Sequence, residues 1–561
     1  MRKLATVLLV AFALVLQTAC KPDITLHVVA TTDLHGYLLA QNNWKGKTLG
    51  GVDVMSGYFN TAKKQDGETL FLDSGDLFQG TLISNDTEGA SVIKYYNYVG
   101  YTAAAIGNHD FDFGPVGPDT VPMHAGEDPL GALKARESQA KFPFLSANIC
   151  SVDEDPHQCE DATDYRVASF VEPYLIKSVH NVQVGIIGLT TQETPETTMP
   201  QNVARLRFMP LTNALERFIP EMKKKGAQVI VVIAHSGGFC EKGKCETSDE
   251  IFRTLDNLSA TTRNSIAIVL AGHTHNYLNK VYDGVPIMIE GSYGRSFGYT
   301  TLQFHAKNGS VSVEDHQIID FTRDGNFLGE RITPDAAASD LIAAEKADAE
   351  AVGDTVVGKT LSPLKKGLPE SSMGDFMTDA FRACYADTSC QKHADIAFQN
   401  NGGIRSELDA GAITYGQIFQ VMPFDNFMAI LKLSGRKIHD LLTVWYQYQK
   451  GFPQISGIQI AYSSSSEKTR VVVNDAGETE ALPDPIEEIS PPLHDDQIYT
   501  VVMSDFLATG GGGTGFITRS LKPAPFIDYT RKQRDALVDY LKINPSGVDY
   551  SHSAPRLVHG G

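Results

Sequence analysis

The chain has 561 residues, of which 42% are hydrophobic and 20% charged, and its formal net charge is −19. This length predicts two domains, because a single hydrophobic core stops growing at about 250–300 residues. The composition is typical of a water-soluble globular protein and excludes extensive disorder or membrane embedding. The negative charge argues against nucleic-acid polymers as partners, because binding them depends on basic surface. A small anionic ligand is still compatible with this net charge, since a local pocket that holds divalent cations can attract it.

Residues 1–20 have the pattern of an export signal. Arg2 and Lys3 precede an apolar run, residues 4–16, that is too short for a comfortable membrane span. The run ends at Leu16-Gln17-Thr18-Ala19-Cys20, which resembles a bacterial lipoprotein signal with Cys20 as the lipidated first residue of the mature chain. We therefore expect an exported protein that meets the membrane only through this lipid.

The residue after Cys20 bears on the compartment. Lys21 is not the Asp associated with inner-membrane retention, so the outer membrane or the cell surface is the expected location. Gln17 stands where lipoprotein signals usually carry a small or apolar residue. The alternative is therefore ordinary secretory cleavage, which would give a soluble periplasmic or secreted protein.

The cysteines are consistent with export. Of the seven, six form close couples and Cys20 is left over. The couples are Cys150 with Cys159, Cys240 with Cys245, and Cys384 with Cys390. Close couples in an exported chain predict local disulfides. Metal-binding thiols are the alternative, but no couple has the C-x₂-C spacing that such sites favour.

Residues 24–331 alternate apolar, strand-like runs with amphipathic stretches, which predicts βαβ units. Five runs, at 27–30, 69–72, 103–106, 229–233 and 266–270, each end just before a polar motif. In that order the motifs are Asp33-Leu34-His35, Gly75-Asp76, Gly107-Asn108-His109-Asp110, Ala234-His235 and Gly272-His273-Thr274-His275. Because strand ends at one edge of a sheet collect functional side chains, we expect the motifs to form one site.

The motifs together offer ligands for two divalent cations. They contain carboxylates, imidazoles and one amide but no thiolate, a set that suits hard and borderline cations such as zinc or manganese. We expect one metal to be bound by Asp33, His35 and His275, the other by Asn108, His235 and His273, with Asp76 bridging them. Two cations about 3.5–4 Å apart lower the pKa of water and neutralise phosphoryl oxygens, which is what hydrolysis of a phosphate ester requires.

The rest of the chain predicts a linker and a second domain. Thr333-Pro334-Asp335 is a helix start, and Ala338, Leu341 and Ile342 lie on one stripe, so residues 333–355 are expected to form a linker helix. A smaller α/β domain is expected over residues 356–557. It should contain a helix near 374–385, strands at 396–398 and 499–503, and a glycine-rich loop at 510–515.

The order of the five motifs resembles the calcineurin-like metallophosphoesterases. A closer resemblance is to the exported two-domain 5′-nucleotidases and nucleotide-sugar hydrolases, and it rests on residues 107–112, 291–295 and 400–405. The resemblance implies an α/β protein with a layered sheet sandwich flanked by helices, a linker helix and a C-terminal substrate-binding domain. It also implies that His109 is a catalytic group paired with Asp112, and not a metal ligand; an imidazolium there could stabilise charge and protonate the leaving oxygen.

The resemblance places substrate contacts in the second domain. Phe424, with Asn426 beside it, and Phe506 match the two sides of a base-binding sandwich, and Arg405 matches a phosphate-binding arginine. Two positions depart from the family pattern. In the first, counted back from Phe516, Thr514 stands where the family has a ribose-binding Asp. In the second, Pro369 stands where the family has an Arg. The nearby Lys365 or Lys366 could replace that Arg only as a point charge.

The expected function is hydrolysis of nucleoside 5′-phosphates or related phosphate esters by hydroxide attack at a two-metal centre. The missing ribose Asp leaves an alternative ester open: a nucleotide sugar, a cyclic nucleotide or a sulfur-oxoanion conjugate. A non-catalytic surface lipoprotein that binds nucleotides or a host partner is a further alternative. It predicts loss of metal ligands or of the His109–Asp112 pair, and neither has been lost.

Overall fold

The computed structural model describes residues 22–44, 46–242, 244–385, 393–449 and 451–560. The expected signal segment and the lipid-bearing Cys20 lie outside these residues. No helix within the described ranges combines the length and the apolarity that crossing a bilayer requires. The described residues form a mixed α/β protein, which confirms the predicted fold class.

Two six-stranded sheets form the centre of the N-terminal part. The first contains, in spatial order, Ser310–Asp320, Ser296–His305, Ile24–Thr31, Leu70–Asp73, Ala103–Ala105 and Phe144–Leu145. The second contains Tyr277–Tyr282, Val285–Glu290, Ile266–Ala271, Val229–His235, Val182–Thr190 and Tyr174–Val179. The five predicted runs all fall within, or overlap, central strands of these sheets, where burial on both faces explains their continuous apolar sequences.

The two sheets pack face to face. Leu26, Val28 and Leu72 from the first sheet share one buried cluster with Val231 and Leu270 from the second. The outer face of each sheet is covered by helices and forms a second core. The helices of this part are Val52–Gln65, Leu82–Asn85, Ala90–Val99, Gly131–Gln139, Thr194–Thr197, Pro200–Val203, Leu211–Lys224, Glu250–Asp256 and Ala260–Arg263. The result is the layered sandwich that the resemblance implies.

Short elements complete the N-terminal part. Two-stranded ribbons pair Gln41–Trp44 with Lys47–Leu49, Ile149–Ser151 with Leu206–Phe208, Cys240–Glu241 with Lys244–Cys245, and Asn326–Phe327 with Glu330–Arg331. Single 3₁₀ turns lie at Asn108–Phe111 and Pro156–Cys159.

The predicted disulfides close local excursions. Cys150 is bonded to Cys159 and Cys240 to Cys245, which confirms both couples. Cys384 is also disulfide-bonded, but its predicted partner Cys390 lies outside the described residues.

The linker differs from the prediction of one helix. It contains two helices, Ala336–Leu341 and Ala343–Gly353, separated at Ile342, whose φ of −108° departs from helical geometry. The first helix begins after Asp335, whose side chain accepts a hydrogen bond from the amide of Ala337. Ile342 is buried in the core of the N-terminal part, so packing of this side chain accompanies the break.

The C-terminal part is built on a five-stranded sheet. Its order is Gln454–Ser456, Ile396–Gln399, Ile498–Ser504, Phe427–Ser434 and Phe526–Lys532. A three-stranded sheet contains Ile486–Ser490, Gln459–Tyr462 and Leu557–His559, and ribbons pair Val356–Thr360 with Gly411–Thr414 and Thr469–Val473 with Thr479–Pro483. The helices are Ser372–Ala383, Tyr415–Val421, Gly435–Gln449, Asp505–Ala508, Gly515–Thr518 and Gln533–Ile543, with a 3₁₀ turn at Asn401–Gly403. Separate cores cover the two faces of the larger sheet.

Candidate active site

The candidate site lies at the carboxyl edge shared by both large sheets. In the first sheet, Thr31 and Asp73 pair at the ends of parallel strands. In the second, Ala234 and Ala271 pair in the same way. Parallel strands end at the same edge, so the loops that carry the polar motifs meet there although they are far apart in the chain.

The backbone of this edge is unusual at five of the seven predicted metal ligands. Positive φ angles occur at Asp33 (49°), His35 (49°), Asp76 (58°), His273 (74°) and His275 (55°). A non-glycine residue held in a sparsely populated region costs of the order of 1–3 kcal/mol, and such residues concentrate at functional sites. Here the left-handed turns let Asp33 and His35 direct alternate side chains toward one group of ligands, whereas His273 and His275 reach different groups.

One group of potential ligands contains Asp33, His35, Asp76 and His275. Nε2 of His275 lies 3.2 Å from Oδ1 of Asp33 and 3.1 Å from Nε2 of His35. Nε2 of His35 lies 3.5 Å from Oδ2 of Asp76. The ligand atoms of these four residues therefore surround one point, and a cation at that point would be within reach of all of them.

A second group contains Asp76, His235 and His273. Nε2 of His235 lies 3.2 Å from Oδ2 of Asp76 and 3.0 Å from Oδ1 of Asn108. The amide nitrogen of Asn108 donates to the carbonyl of Thr197, which leaves its oxygen facing His235. The predicted ligand sets for two metals are therefore brought together, with Asp76 in both groups.

Asp76 supplies the test of whether a cation fits. Its Oδ2 is buried, and the described polar groups nearest to it are Nε2 of His235 and of His35, which are themselves predicted metal ligands; Oδ1 accepts a hydrogen bond from the amide of His109. A buried carboxylate is costly unless its charge is paired, and a cation between the two groups would pair it. The histidines are also oriented for binding, since Nδ1 of His35 and of His235 face the carbonyls of Gln79 and Ser74 and leave Nε2 directed inward.

Electrostatics fit the same interpretation. Burial lowers the pKa of His35 and of His275, which favours the neutral imidazole that binds cations. Burial alone would also lower the pKa of His235, but the Asp76 carboxylate raises it to about 10. Burial opposes the charge of Asp76 in turn, while His235 holds the pKa of that carboxyl well below its usual value. Without a cation, a proton on His235 therefore stabilises Asp76.

Metal binding should release the His235 proton. Because the pKa of His235 is about 10 in the metal-free protein, a cation must displace this proton at neutral pH. We expect the apparent affinity for Zn²⁺ or Mn²⁺ to rise about tenfold per pH unit from this group alone. Calorimetric titration in buffers of different ionisation enthalpy measures the proton released. His235→Asn should lose this release, and affinity that does not change with pH in the parent protein would contradict the assignment.

His109 links the two halves of the site. Its Nδ1 lies 2.6 Å from Oδ2 of Asp112, and its Nε2 lies 2.7 Å from Nη2 of Arg405. Arginine can only donate, so Nε2 accepts here and Nδ1 carries the proton that is donated to Asp112. Asp112 is itself fixed by a hydrogen bond from the Thr198 hydroxyl at 2.5 Å. The predicted catalytic pair is thus in contact with the predicted phosphate-binding arginine of the other domain.

A cavity of about 230 Å³ lies between the domains at this point. Asp76, Asn108, His109, His273 and His275 line it from the N-terminal part, and Arg405, Phe424, Asn426 and Phe506 from the C-terminal part. Asp33, His35 and His235 lie behind this lining and are buried. The guanidinium carbon of Arg405 is 5.1 Å from the Phe424 ring centroid, and that ring is 5.3 Å from the His109 ring. Every predicted substrate residue therefore lines the same cavity as members of the two metal-binding groups.

The two departures from the family pattern have different structural outcomes. The Thr514 hydroxyl is fully buried and donates toward the carbonyls of Leu507 and Gly511 at 2.6 and 2.8 Å, so it cannot contact a substrate in the cavity. Lys366 lines a second, adjoining cleft together with Arg405 and Arg295. Lys366 therefore shares a cleft with Arg405, and partial burial together with the nearby Arg405 charge lowers the pKa of its ammonium group.

Comparison with known proteins agrees with this geometry. Residues 26–277 match the family model for calcineurin-like phosphoesterases, and residues 351–519 match that for the 5′-nucleotidase C-terminal domain. The chain belongs to the 5′-nucleotidase-like metallophosphoesterases. This family of hydrolases is the one that the motifs predicted, so the resemblance is confirmed.

Individual relatives of this 5′-nucleotidase-like protein are distant but extensive. The rat 5′-nucleotidase is 27% identical over 88% of this chain and 84% of its own length. Endonuclease YhcR of Bacillus subtilis (strain 168) is 24% identical over 95% of this chain, which spans only 41% of that protein. The crystal structure of a 5′-nucleotidase precursor from Thermus thermophilus has the same fold, with a TM-score of 0.74, 23% identity and coverage of 96% of this chain and 99% of that one.

Several site residues of the 5′-nucleotidase-like chain were missed in the sequence. Glu193, Glu196 and Thr198 all come from the segment after the strand Val182–Thr190, which ends at the same edge as the predicted motifs. Nε2 of His273 lies 3.4 Å from Oε2 of Glu193, and Glu196 lines the cavity. A sequence signal was present, because this polar segment follows an apolar run as the five motifs do. Residues 191–198 contain no histidine and no aspartate, however, and those residue types identified the five motifs.

Proposed function

We propose that the protein is an extracytoplasmic, metal-dependent phosphohydrolase that releases phosphate from nucleoside 5′-phosphates. The observation that carries the proposal is one cavity that is lined by Phe424, by Phe506 and by members of both metal-binding groups, and in which Arg405 contacts His109. Such a space can hold a phosphate at the metal groups and a base between aromatic rings. The high negative net charge favours a small ester over a nucleic-acid polymer.

The site residues have distinct roles in this proposal. When bound, two divalent cations at Asp33, His35, Asp76, Asn108, His235, His273 and His275 would neutralise phosphoryl oxygens and lower the pKa of water. Arg405 binds the phosphoryl group through its planar guanidinium. When Arg405 turns from His109 to the phosphoryl group, Nε2 of His109 is free to take up a proton, and it gives this proton to the leaving oxygen; Asp112 holds the ring through Nδ1 and stabilises its charged form. Phe424 and Phe506 stack on the base, and Asn426 contacts its polar edge.

The same proposal assigns the parts of the chain. Residues 24–331 form the catalytic domain, residues 333–355 the linker, and residues 356–557 the substrate domain. The two matched ranges support the division: 26–277 lies in the catalytic domain, and 351–519 lies in the substrate domain apart from five residues of the linker.

Export also belongs to the proposal. Residues 1–20 act as the signal, and Cys20 carries the lipid that anchors the protein to the bacterial outer membrane or surface; a soluble periplasmic form is the alternative. The two described disulfides support an oxidising compartment, because such bonds persist there.

Removing one face of the base site should separate nucleotide binding from phosphate hydrolysis. Phe506→Ala is expected to raise KM for AMP about tenfold, since stacking contributes about 1–3 kcal/mol per base. Ribose 5-phosphate lacks a base, so its hydrolysis should change little. Phosphate release from both substrates by the purified metal-loaded protein measures the effect.

Phe526→Ala is the matched control, because this phenylalanine is 61% exposed and does not line the cavity. Chelation should stop phosphate release in every variant. If the parent protein hydrolyses ribose 5-phosphate but not AMP, the metal groups function and the nucleotide assignment is wrong.

A second candidate uses the same metal groups on a different ester. The buried Thr514 hydroxyl favours it, because the usual ribose-binding position offers no group to a nucleoside. A nucleotide sugar, a cyclic nucleotide or a sulfur-oxoanion ester would be the substrate. Assay of these esters beside AMP decides between the candidates by their relative kcat/KM.

A further inference from the structure

The glycine-rich loop at 510–515, which lies within the described residues, presents no carboxylate to the sugar of a nucleotide. Whichever end of the glycine run is aligned, the position after the glycine pair holds no carboxylate: it is Gly512 from the front and Thr514 from the back. Gly512 lines the cavity, whereas the Thr514 hydroxyl is bonded to backbone carbonyls. A ribose between the base site and the metal groups would still present two hydroxyl donors, which a carboxylate accepts best.

Among the described residues, four carboxylates line this cavity, and three of them already have partners. Both oxygens of Asp112 have partners, His109 and Thr198. Asp425 is paired with Arg534 and, at 2.8 Å, with Lys532. Asp76 accepts the His109 amide through one oxygen and belongs to both metal groups through the other. None of the three is available to a sugar.

Glu196 is the fourth. Its Oε1 lies 2.9 Å from Nη2 of Arg519, but Oε2 accepts no hydrogen bond from any residue in the described ranges. The side chain is 41% exposed and lines the cavity, so this oxygen is accessible to a ligand.

The position of Glu196 is set by the glycine run itself. The Gly512 amide donates to the Glu196 carbonyl at 2.8 Å, across the interface between the two domains. Glu196 belongs to the short helix Thr194–Thr197, which follows a strand of the second large sheet. The carboxylate therefore stands beside the loop in which relatives carry theirs, but it comes from the opposite domain.

We propose that Glu196 accepts hydrogen bonds from the ribose hydroxyls of the nucleotide and replaces the missing carboxylate of the glycine-rich loop. The inference rests on the proposed nucleotidase function. It has a mechanical consequence: the base site and the ribose site belong to different domains, so the sugar is recognised only when the domains are closed. Discrimination for ribose and closure over the metal groups are then coupled.

The test compares AMP with 2′,3′-dideoxy-AMP, which lacks both hydroxyls. The parent protein should prefer AMP by about 10- to 100-fold in kcat/KM, the range expected for hydrogen bonds to a charged group. Glu196→Ala should remove the preference, because the value for AMP falls much further than that for 2′,3′-dideoxy-AMP, which can lose only what the broken ion pair contributes to closure. Glu196→Gln keeps one acceptor oxygen and should give an intermediate ratio.

Arg519→Ala is the matched control, because it breaks the same ion pair but leaves the carboxylate in place. It should preserve the preference for AMP, even if both rates fall through weaker closure. Equal losses for both substrates in Glu196→Ala and Arg519→Ala would overturn the ribose role and leave Glu196 as a closure contact. An unchanged ratio in Glu196→Ala would overturn it as well.

Failure of the underlying function gives a different result. If the parent protein releases no phosphate from AMP but hydrolyses ribose 5-phosphate, the nucleotidase proposal fails, and the ribose role within it fails with it. Thermal unfolding of each variant verifies the fold, and the exposure of Glu196 and Arg519 predicts little change in Tm.

Discussion

Replacing Asp76 by Asn is expected to lower phosphate release by on the order of 10³-fold or more, since even partners outside the metal ligands contribute about 10–100-fold at such sites. Oδ2 of Asp76 lies 3.5 Å from Nε2 of His35 and 3.2 Å from Nε2 of His235. It is the only carboxylate in both described metal-binding groups. The substitution removes the negative charge that would hold two cations together. Metal content by mass spectrometry and phosphate release from AMP measure the two effects separately.

Asp73→Asn is the matched control for this experiment. Asp73 lies at the end of the strand that leads to Asp76, and burial raises the pKa of its carboxyl to about 7. At neutral pH this carboxyl is about half ionised, so the same substitution removes less charge there than at Asp76, and it leaves both metal-binding groups intact. We expect normal metal content in Asp73→Asn. Asp76→Asn protein that kept two cations and full activity would show that Asp76 does not bridge them.

The convergence of the predicted metal ligands could be anticipated from sequence because each of them follows a recognisable strand. Apolar runs such as 229–233 and 266–270 are read directly from residue type, and parallel pairing then forces their ends to one edge. The glycines of the motifs have a local cause as well. A Cβ at Gly107 would lie 2.1 Å from Oδ1 of Asp76, so the residue before the ligand Asn108 must be small.

Features that depend on contact between distant segments could not be predicted. Oε2 of Glu196 is notable only because Asp112 and Asp425 are paired, and those partners lie elsewhere in the chain. The break at Ile342 depends on packing against the N-terminal core, whereas the local sequence favours one continuous helix. Resemblance identified the position of Thr514, but only the structure shows that its hydroxyl is turned into the protein.

The second large effect is expected at His109. His109→Ala should lower kcat for AMP by about 10²- to 10⁴-fold, because general acid catalysis contributes this much when the leaving group is a poor one. Nε2 of His109 faces the cavity beside Arg405, and Nδ1 is held by Asp112 at 2.6 Å. The ribose 5′-oxygen of AMP is a strongly basic leaving group and needs the proton that His109 supplies.

An ester with a weakly basic leaving group distinguishes this role from simple binding. 4-Nitrophenyl phosphate needs little protonation, so His109→Ala should slow its hydrolysis much less than that of AMP. Asp112→Asn should also slow hydrolysis of AMP more than that of 4-nitrophenyl phosphate. Both losses should be smaller than in His109→Ala, because the imidazole stays in place and lacks only its charged partner. Equal losses for both esters would instead assign His109 to holding the phosphoryl group, a role that Arg405 already occupies at 2.7 Å from it. The ratio of the two losses therefore reports whether proton transfer at Nε2 is the step that this histidine accelerates.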